Sequence, residues 1–465
     1  MGKSGLVAKP IVKARTRKRL APSKISGPLV LLGRLLIYPY LRVALKFRKI
    51  EVMRPEIIVD ALRDFQEKRT RLILAFRHPY GDEPQMMFHV METMIPRLAR
   101  RMQKPLKHSP RMRPVHDYAV ALWGDAVIRF VLPRVGALPV YHIKFDSESL
   151  SAIRAVMRDG ESPLGIASEG QISYHSETLP RIEQGTIRMG FWCARDIEKA
   201  GRSERVIVLP LSVHYRYDAR DSWKIGQAVK RIESLCGLKS DAARSADATP
   251  ESLLPRIDAI ESRLLEMTEA FYASSYGYRP SGAETLHDRW MAMLPFALSV
   301  AEHTLGIDPG NGDVVQRMYR VRLEGWERIY PQSAVEGLTP LQAALADRRA
   351  GEAWYAMRHM ELVDLMNYHD ANYFCAARPS SLTFDRLVET VFTLEDLANR
   401  LMGGNITNRP NAIRKNAVIV PGERMDLTEN LPAYHANARQ TVQALTGELA
   451  GKFTDCIEVY HNGKS

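Results

Sequence analysis

One histidine followed closely by two carboxylates is the part of this 465-residue chain best suited to chemistry. The apolar run Leu72–Phe76 stops at Arg77 and His78, the turn residues Pro79, Tyr80 and Gly81 follow, and Asp82 and Glu83 come next. A run of that length, bounded by turn residues, reads as a buried strand. Open α/β sheets place their sites in the crevice beyond the carboxyl ends of such strands. An imidazole there, with a carboxylate in reach of its ring, has the makings of a general base and its orienting partner. Spacing alone leaves open whether Asp82 or Glu83 is that partner.

The elements that must position this group can be read in order. Two more expected strands end in polar clusters: Ala137–Tyr141 before His142 and Lys144, and Leu164–Ala167 before Ser168, Glu169 and Gly170. Val206–Val213 is the strongest strand pattern. Apolar residues at helical spacing mark Pro55–Gln66, Pro84–Arg100, Ala119–Leu132, a helix capped by Ser147 that runs to Met157, and Gly185–Ala194. The basic, proline-punctuated residues 101–114 read as a loop. Strands alternating with helices give the α/β class, a mixed and mostly parallel sheet flanked by helices.

From residue 222 the pattern changes to long amphipathic helices. Thr249-Pro250 opens one, Ser281 with Glu284 forms a capping-box pattern before another, and Thr339-Pro340 opens a third. Leu387, Val391, Leu394 and Leu401 make a further stripe that ends at Gly403. Strand character returns at Ala417–Val420, and a last helix carries Val442, Leu445, Leu449 and Phe453. Residues 222–410 therefore read as a large all-α insertion before the last strand. Residues 51–221 and 411–465 are the two parts of the α/β domain.

Residues 1–50 hold 13 of the basic residues and no acidic one, whereas the rest of the chain is nearly neutral, with 52 basic against 53 acidic residues. This marks 1–50 as an arm for an anionic partner. Pro28–Phe47 is apolar and aromatic, but Arg34, Arg42 and Lys46 interrupt it. It suits an in-plane anchor on an anionic membrane surface better than a spanning helix. No small-residue cleavage site follows, as a secretory signal would require, although residues 1–24 share the Arg-rich, acid-free composition of a transit peptide. Aromatic residues do not interleave the basic residues 1–24, which argues against nucleic acid as their partner. The four widely spaced cysteines exclude a disulfide framework and a thiolate metal site. His359, Glu361, Asp364, His369 and Asp370 lack metal-ligand spacing and read as a solvated helix face.

Around these strand ends, the chain resembles the glycerolipid acyltransferase family, which includes the lysophosphatidic acid acyltransferases. The resemblance covers residues 70–215 and resumes at 413–430. The family opens its site with Asn-His-x4-Asp. Here Arg77-His78 is followed by Asp82 and Glu83, with Glu83 in the family's aspartate position. Gly136 with His142 and Lys144 is similar to the second block, and Glu169-Gly170 to the third. There Ile172 stands in place of the arginine that holds the acceptor's phosphate. Leu179-Pro180 with Gly185, Pro210 within Val206–Val213, and Gly422-Glu423 complete the match.

The resemblance implies an O-acyltransferase with His78 as general base and Glu83 or Asp82 as its orienting carboxylate. It places Glu169, Gly170, Gly136, His142, Lys144 and Arg181 around the substrates, with Arg188 a further candidate. The implied donor is acyl-CoA or acyl-carrier protein, without metal or other cofactor. The implied acceptor is a lysophospholipid or glycerol 3-phosphate, and the implied location is the cytoplasmic face of a membrane, peripheral or monotopic. Ile172 keeps open an acceptor without phosphate, such as a lyso-aminolipid or another alcohol. A non-catalytic lipid-binding scaffold is the remaining alternative.

Overall fold

A computed structural model of the chain describes residues 12–17, 21–141, 146–239, 248–282, 285–370, 372–404, 411 and 413–463. They form two units, one of Leu20–Arg216 with Lys415–Ser465, the other of Tyr217–Arg414 with Met1–Arg19.

The first unit opens with helix α1 (Gly27–Val43) and strand β1 (Phe47–Val52). Neither is a detached arm. Val30 and Leu41 of α1 are buried, Arg34 holds Glu92 through bonds of 2.6 and 2.9 Å, and β1 joins the sheet. The apolar stretch expected at Pro28–Phe47 thus lies in α1 and at the start of β1, together with the basic residues Arg34 and Arg42. Residues 14–16 instead join the helical unit. The Arg15 N–H donates to Ile329 O and the Ala14 N–H to Asp347, while Thr16 Oγ1 accepts from the Val335 N–H. Among the described residues no helix is long and apolar enough to cross a membrane.

Helix α2 (Pro55–Gln66) starts at a proline, which lacks only a donor the first turn leaves free, and buries Ile58, Leu62 and Phe65. Strand β2 (Thr70–Phe76) is buried along its whole length. The helix expected over 84–100 is α3 (Glu83–His89), a π-helical turn at Val90–Met94, and α4 (Ile95–Arg101). The Ile95 N–H reaches back to Val90 O immediately before Pro96, which has no N–H to continue the α-ladder. Strand β3 (Arg113–Asp117) lies where a loop continuing to 114 was expected. It is half-buried throughout, so no alternation marks it.

The helix expected over 119–132 breaks into α5 (Val120–Trp123) and α6 (Ala126–Arg134), because Asp125 caps the second by accepting from the Ile128 N–H. After β4 (Leu138–Val140) comes α7 (Ser147–Asp159), capped by Asp146 and not by the expected Ser147. Strand β5 (Leu164–Ala167), helix α8 (Gly185–Lys199) and strand β6 (Arg205–Tyr217) complete the first stretch.

The helical unit comprises α9 (Ser222–Leu235), α10 (Pro250–Tyr276), α11 (Leu286–Leu305), α12 (Val314–Ile329), α13 (Pro340–Met366) and α14 (Phe384–Leu401). Thr249 and Thr339 close capping boxes on α10 and α13. The cap of α11 is Thr285, not the expected Ser281. The expected partner Glu284 lies outside the described residues. Arginine–carboxylate pairs link successive helices: Glu233 with Arg256, Glu269 with Arg289, Glu302 with Arg317, and Arg322 with Asp364. The cluster expected to be a solvated face is largely interior, since His359, Glu361 and His369 are all buried. Helix α13 carries His359 and Glu361 inward because it packs against α11, α12 and α14 at once, and His369, just past its end, pairs with Glu261 at 2.8 Å.

Burial pushes the Glu361 carboxyl up from 4.5 to about 7, against the pull of Arg358 and Arg400. A raised carboxyl keeps its proton in the folded chain after the unfolded chain has lost it. Stability is therefore greatest below the unfolded value and falls as pH rises toward 7. The melting temperature is expected to be lower at about pH 8 than at about pH 5.5, and Glu361→Gln to flatten that difference in calorimetry. An unchanged slope would count against this assignment.

Strand β7 (Lys415–Pro421), the short β8 (Met425–Asp426) and helices α15 (Leu431–Ala436) and α16 (Ala438–Asn462) return to the first unit. Among the described residues the sheet has eight strands in the order β1-β7-β6-β2-β5-β3-β4, with β8 antiparallel to β6. Strand β2 lies between β5 and β6, parallel to both. Ile73 and Ala75 of β2 enter a core with Ile166, Phe191, Val208, Leu427 and Phe453. The α/β class with a mixed, mostly parallel sheet is thus what the chain adopts. Residues 217–414 form the helical body between its two parts.

Candidate active site

His78 leaves the carboxyl end of β2, the central strand, beside the end of β5. Backbone bonds hold the exit in place: the Arg77 N–H donates to Leu211 O, Ser168 N–H to Phe76 O, Ser173 N–H to His78 O and Tyr174 N–H to Pro79 O. The loop therefore has paired backbone on both sides. Gly81 stands at φ +100°, a conformation costly for a residue with a Cβ, and an added Cβ would also lie 3.3 Å from Ile172.

Glu83 is the carboxylate that meets the imidazole, at 2.7 Å from Oε2 to Nδ1. It is fully buried at the start of α3 and accepts three further hydrogen bonds, from the Tyr80 N–H, the Gly81 N–H and the Tyr215 hydroxyl. Burial alone would push its carboxyl up. The His78 ring and the Tyr215 hydroxyl outweigh burial and hold it below the usual carboxylate value. An ionised Glu83 fixes Nδ1 as the protonated nitrogen. Nε2 is then the basic nitrogen, and among the described residues it has no hydrogen-bond partner, while the side chain remains 17% exposed.

Asp82 does different work. It pairs with the ammonium of Lys415, whose side chain is 3% exposed, at the start of β7. That ammonium also lies 4.9 Å from the ring centroid of Phe47, 5.0 Å from Tyr80 and 5.1 Å from Tyr215. Asp82 is held by Lys415, and Glu83 orients the His78 imidazole.

Glu169 is also buried, and both oxygens are committed. Oε1 accepts from Arg77 Nε at 2.8 Å and Oε2 from the His78 N–H at 2.6 Å. Arg77 is fully buried and donates as well to Ser176 O, His175 O and Thr178 O. The expected substrate contact at Glu169 is therefore a clamp between the ends of β2 and β5, one residue removed from the base. Gly170 takes φ +73° at this turn, with its N–H donated to Ala167 O.

Of the other expected substrate residues, those that are described are not brought together with His78. Gly136 shapes a turn at φ +85°, where an added Cβ would come within 2.7 Å of Ile25. The Arg181 side chain is 52% exposed and lies 3.9 Å from Glu183. Arg188 is exposed and bonds Gln184 on its own helix. His142 and Lys144 lie outside the described residues.

Two participants escaped the sequence. Tyr215 follows the alternation Val213, Tyr215, Tyr217 along β6, a period-2 signal that continues past the expected strand end at Val213. Lys415 carries no local signal, because 333 residues separate it from Asp82. Among the described residues no group of three or more His, Cys, Asp or Glu is arranged to hold a metal ion.

An oriented imidazole of this kind, at the carboxyl end of a central parallel strand, can take a proton from a hydroxyl or thiol and return it to a leaving group. No protein-family model matches the chain, and no curated protein matches it in sequence.

Proposed function

We propose that this protein is a membrane-associated O-acyltransferase that moves a fatty acyl group from acyl-CoA or acyl-carrier protein to the hydroxyl of a lysophospholipid or glycerol 3-phosphate. The observation that carries the reading is the buried Glu83 carboxylate, which fixes Nδ1 of His78 and leaves Nε2 as the base. His78 would take the acceptor's hydroxyl proton as the oxygen bonds to the thioester carbonyl carbon. Collapse of the tetrahedral adduct then breaks the C–S bond, and the proton passes to the departing thiolate. The developing imidazolium faces Glu83, a fixed negative charge that needs no reorganisation. Support also comes from the two segments that resemble the family's first and third blocks, Arg77-His78 and Glu169-Gly170, which follow the neighbouring strands β2 and β5.

One observation favours a second reading. Ile172, in the place of the family's phosphate-binding arginine, lies against Gly81, and the nearby Arg77 is wholly engaged with Glu169 and backbone carbonyls. An acceptor without phosphate fits that arrangement. Incubation of the protein with one labelled acyl-CoA and a panel of lysophosphatidate, glycerol 3-phosphate and phosphate-free lyso-aminolipid separates the two. Product from the phosphate-bearing acceptors alone supports the first reading, and product from the aminolipid alone supports the second. Absence of product from every acceptor and from either donor carrier contradicts acyl transfer.

A further inference from the structure

Among the described residues of the α/β unit, the strongly exposed large hydrophobic side chains sit in two places. Helix α1 presents Leu31, Leu32, Leu35, Leu36 and Val43, with Tyr38 and Tyr40. The α5–α6 corner presents Trp123, Val127 and Phe130, the last two on one helical face. The sequence drew attention to the first stretch only. An uncovered apolar surface of this extent marks an interface.

The two helices are fastened as one surface. Ser26, the residue before α1, donates its N–H to the carbonyl of Arg134, the last residue of α6, at 2.8 Å, and Lys24 donates to Pro133 O at 2.9 Å. Gly136, just past α6, lacks the Cβ that would strike Ile25. Arg113 bonds Gly136 O at 2.9 Å and Ser23 Oγ at 2.7 Å, which ties the same corner to β3.

The charge around this surface has one sign in the segment that contains α1, where residues 1–50 have no acidic side chain. Helix α6 adds Arg129 and Arg134. The Arg134 guanidinium lies 3.9 Å from the Phe130 ring centroid, and that of Arg42 lies 5.9 Å from Tyr38. Aromatic rings, leucines and arginines with apolar stems suit the headgroup level of a bilayer, where stems enter the apolar layer and cations stay at the phosphates. A protein partner would not by itself call for a surface this apolar with arginine stems laid against its aromatic rings.

We propose that α1 and α6 together form a docking face for an anionic lipid bilayer, with α6 a second insertion element outside the basic segment. The face adjoins the candidate site. The Tyr38 ring of α1 lies 5.3 Å from that of His89 on α3, the helix that begins at Glu83. A docked molecule would open its site at the membrane surface. The purpose of the face rests on the lipid-acceptor reading, but its test does not use turnover.

The full chain is sedimented with vesicles of equal parts phosphatidylcholine and phosphatidylglycerol, and with vesicles of phosphatidylcholine alone. Wild type is expected to bind the anionic vesicles at least about fivefold better than the neutral ones. The pair Trp123→Ser and Phe130→Ser, and separately Leu35→Ser and Leu36→Ser, are each expected to weaken binding at least about fivefold. All four side chains are exposed, so an unchanged melting temperature accompanies the loss. Wild-type binding by the α6 pair would overturn the proposal. So would a wild-type protein that ignores vesicles and instead forms a dimer in light scattering that these changes dissociate.

Discussion

Replacing Glu83 by Gln is expected to cut turnover by about 10²–10⁴-fold with little change in KM for the thioester. The carboxylate receives four donors: His78 Nδ1, two backbone N–H groups and the Tyr215 hydroxyl. An amide offers one oxygen and one NH₂ group, so at least one of those donors must face another donor. If the NH₂ group turns to the ring, Nδ1 becomes the acceptor and the proton moves to Nε2, where it blocks general-base catalysis. Asp82→Asn makes the informative contrast. It weakens the pairing with Lys415 and leaves the Glu83–His78 bond intact, so its expected cost is under about tenfold. Steady-state kinetics of both variants decide the matter. A larger loss from Asp82→Asn than from Glu83→Gln would reverse the two roles.

The second large effect is on stability. Removal of either Glu169 or Arg77 by alanine is expected to cost about 3–5 kcal/mol, because each leaves a fully buried charge without its partner. Arg77→Ala also strands the carbonyls of His175, Ser176 and Thr178. A double replacement by methionine removes both charges and keeps apolar volume, so it is expected to cost less than either alanine variant alone. Urea unfolding midpoints give the comparison, and single losses below about 1 kcal/mol would show that the clamp is not structural. A destabilised clamp also lets the His78 backbone move, since Glu169 holds its N–H.

Much of this arrangement could be read in the sequence, for identifiable reasons. The strands β2 and β5 are short apolar runs with abrupt polar ends, so their carboxyl ends and the candidate residues there were plain, although β2 begins two residues earlier, at Thr70. The choice between Asp82 and Glu83 was not, because adjacent residues at a helix start differ only in the direction each side chain takes. Strand β1 was hidden by its sequence Phe-Arg-Lys-Ile-Glu-Val, in which partly exposed residues dilute the apolar signal. The metal-like cluster around Glu361 was misjudged as solvated because the packing of several helices around α13 overrides its local polarity. Tyr215 was within reach had the alternation of β6 been followed two residues further. Lys415 was not, as its partner is set by tertiary contact alone. Glu169 shows a third case. The residue was found, but its part in the site, a clamp on Arg77 and the His78 backbone, depends on geometry that no motif spells out.

The central claim is that His78 takes the acceptor's proton during acyl transfer. The most direct measurement is lipid product formed from a long-chain acyl-CoA and the acceptor that wild type prefers, followed by mass spectrometry with wild type and His78→Ala at equal concentration. The expected result is product from wild type and a rate at least about 100-fold lower from His78→Ala, with the melting temperature retained. Equal rates from the two proteins would contradict the assignment of His78 as the general base.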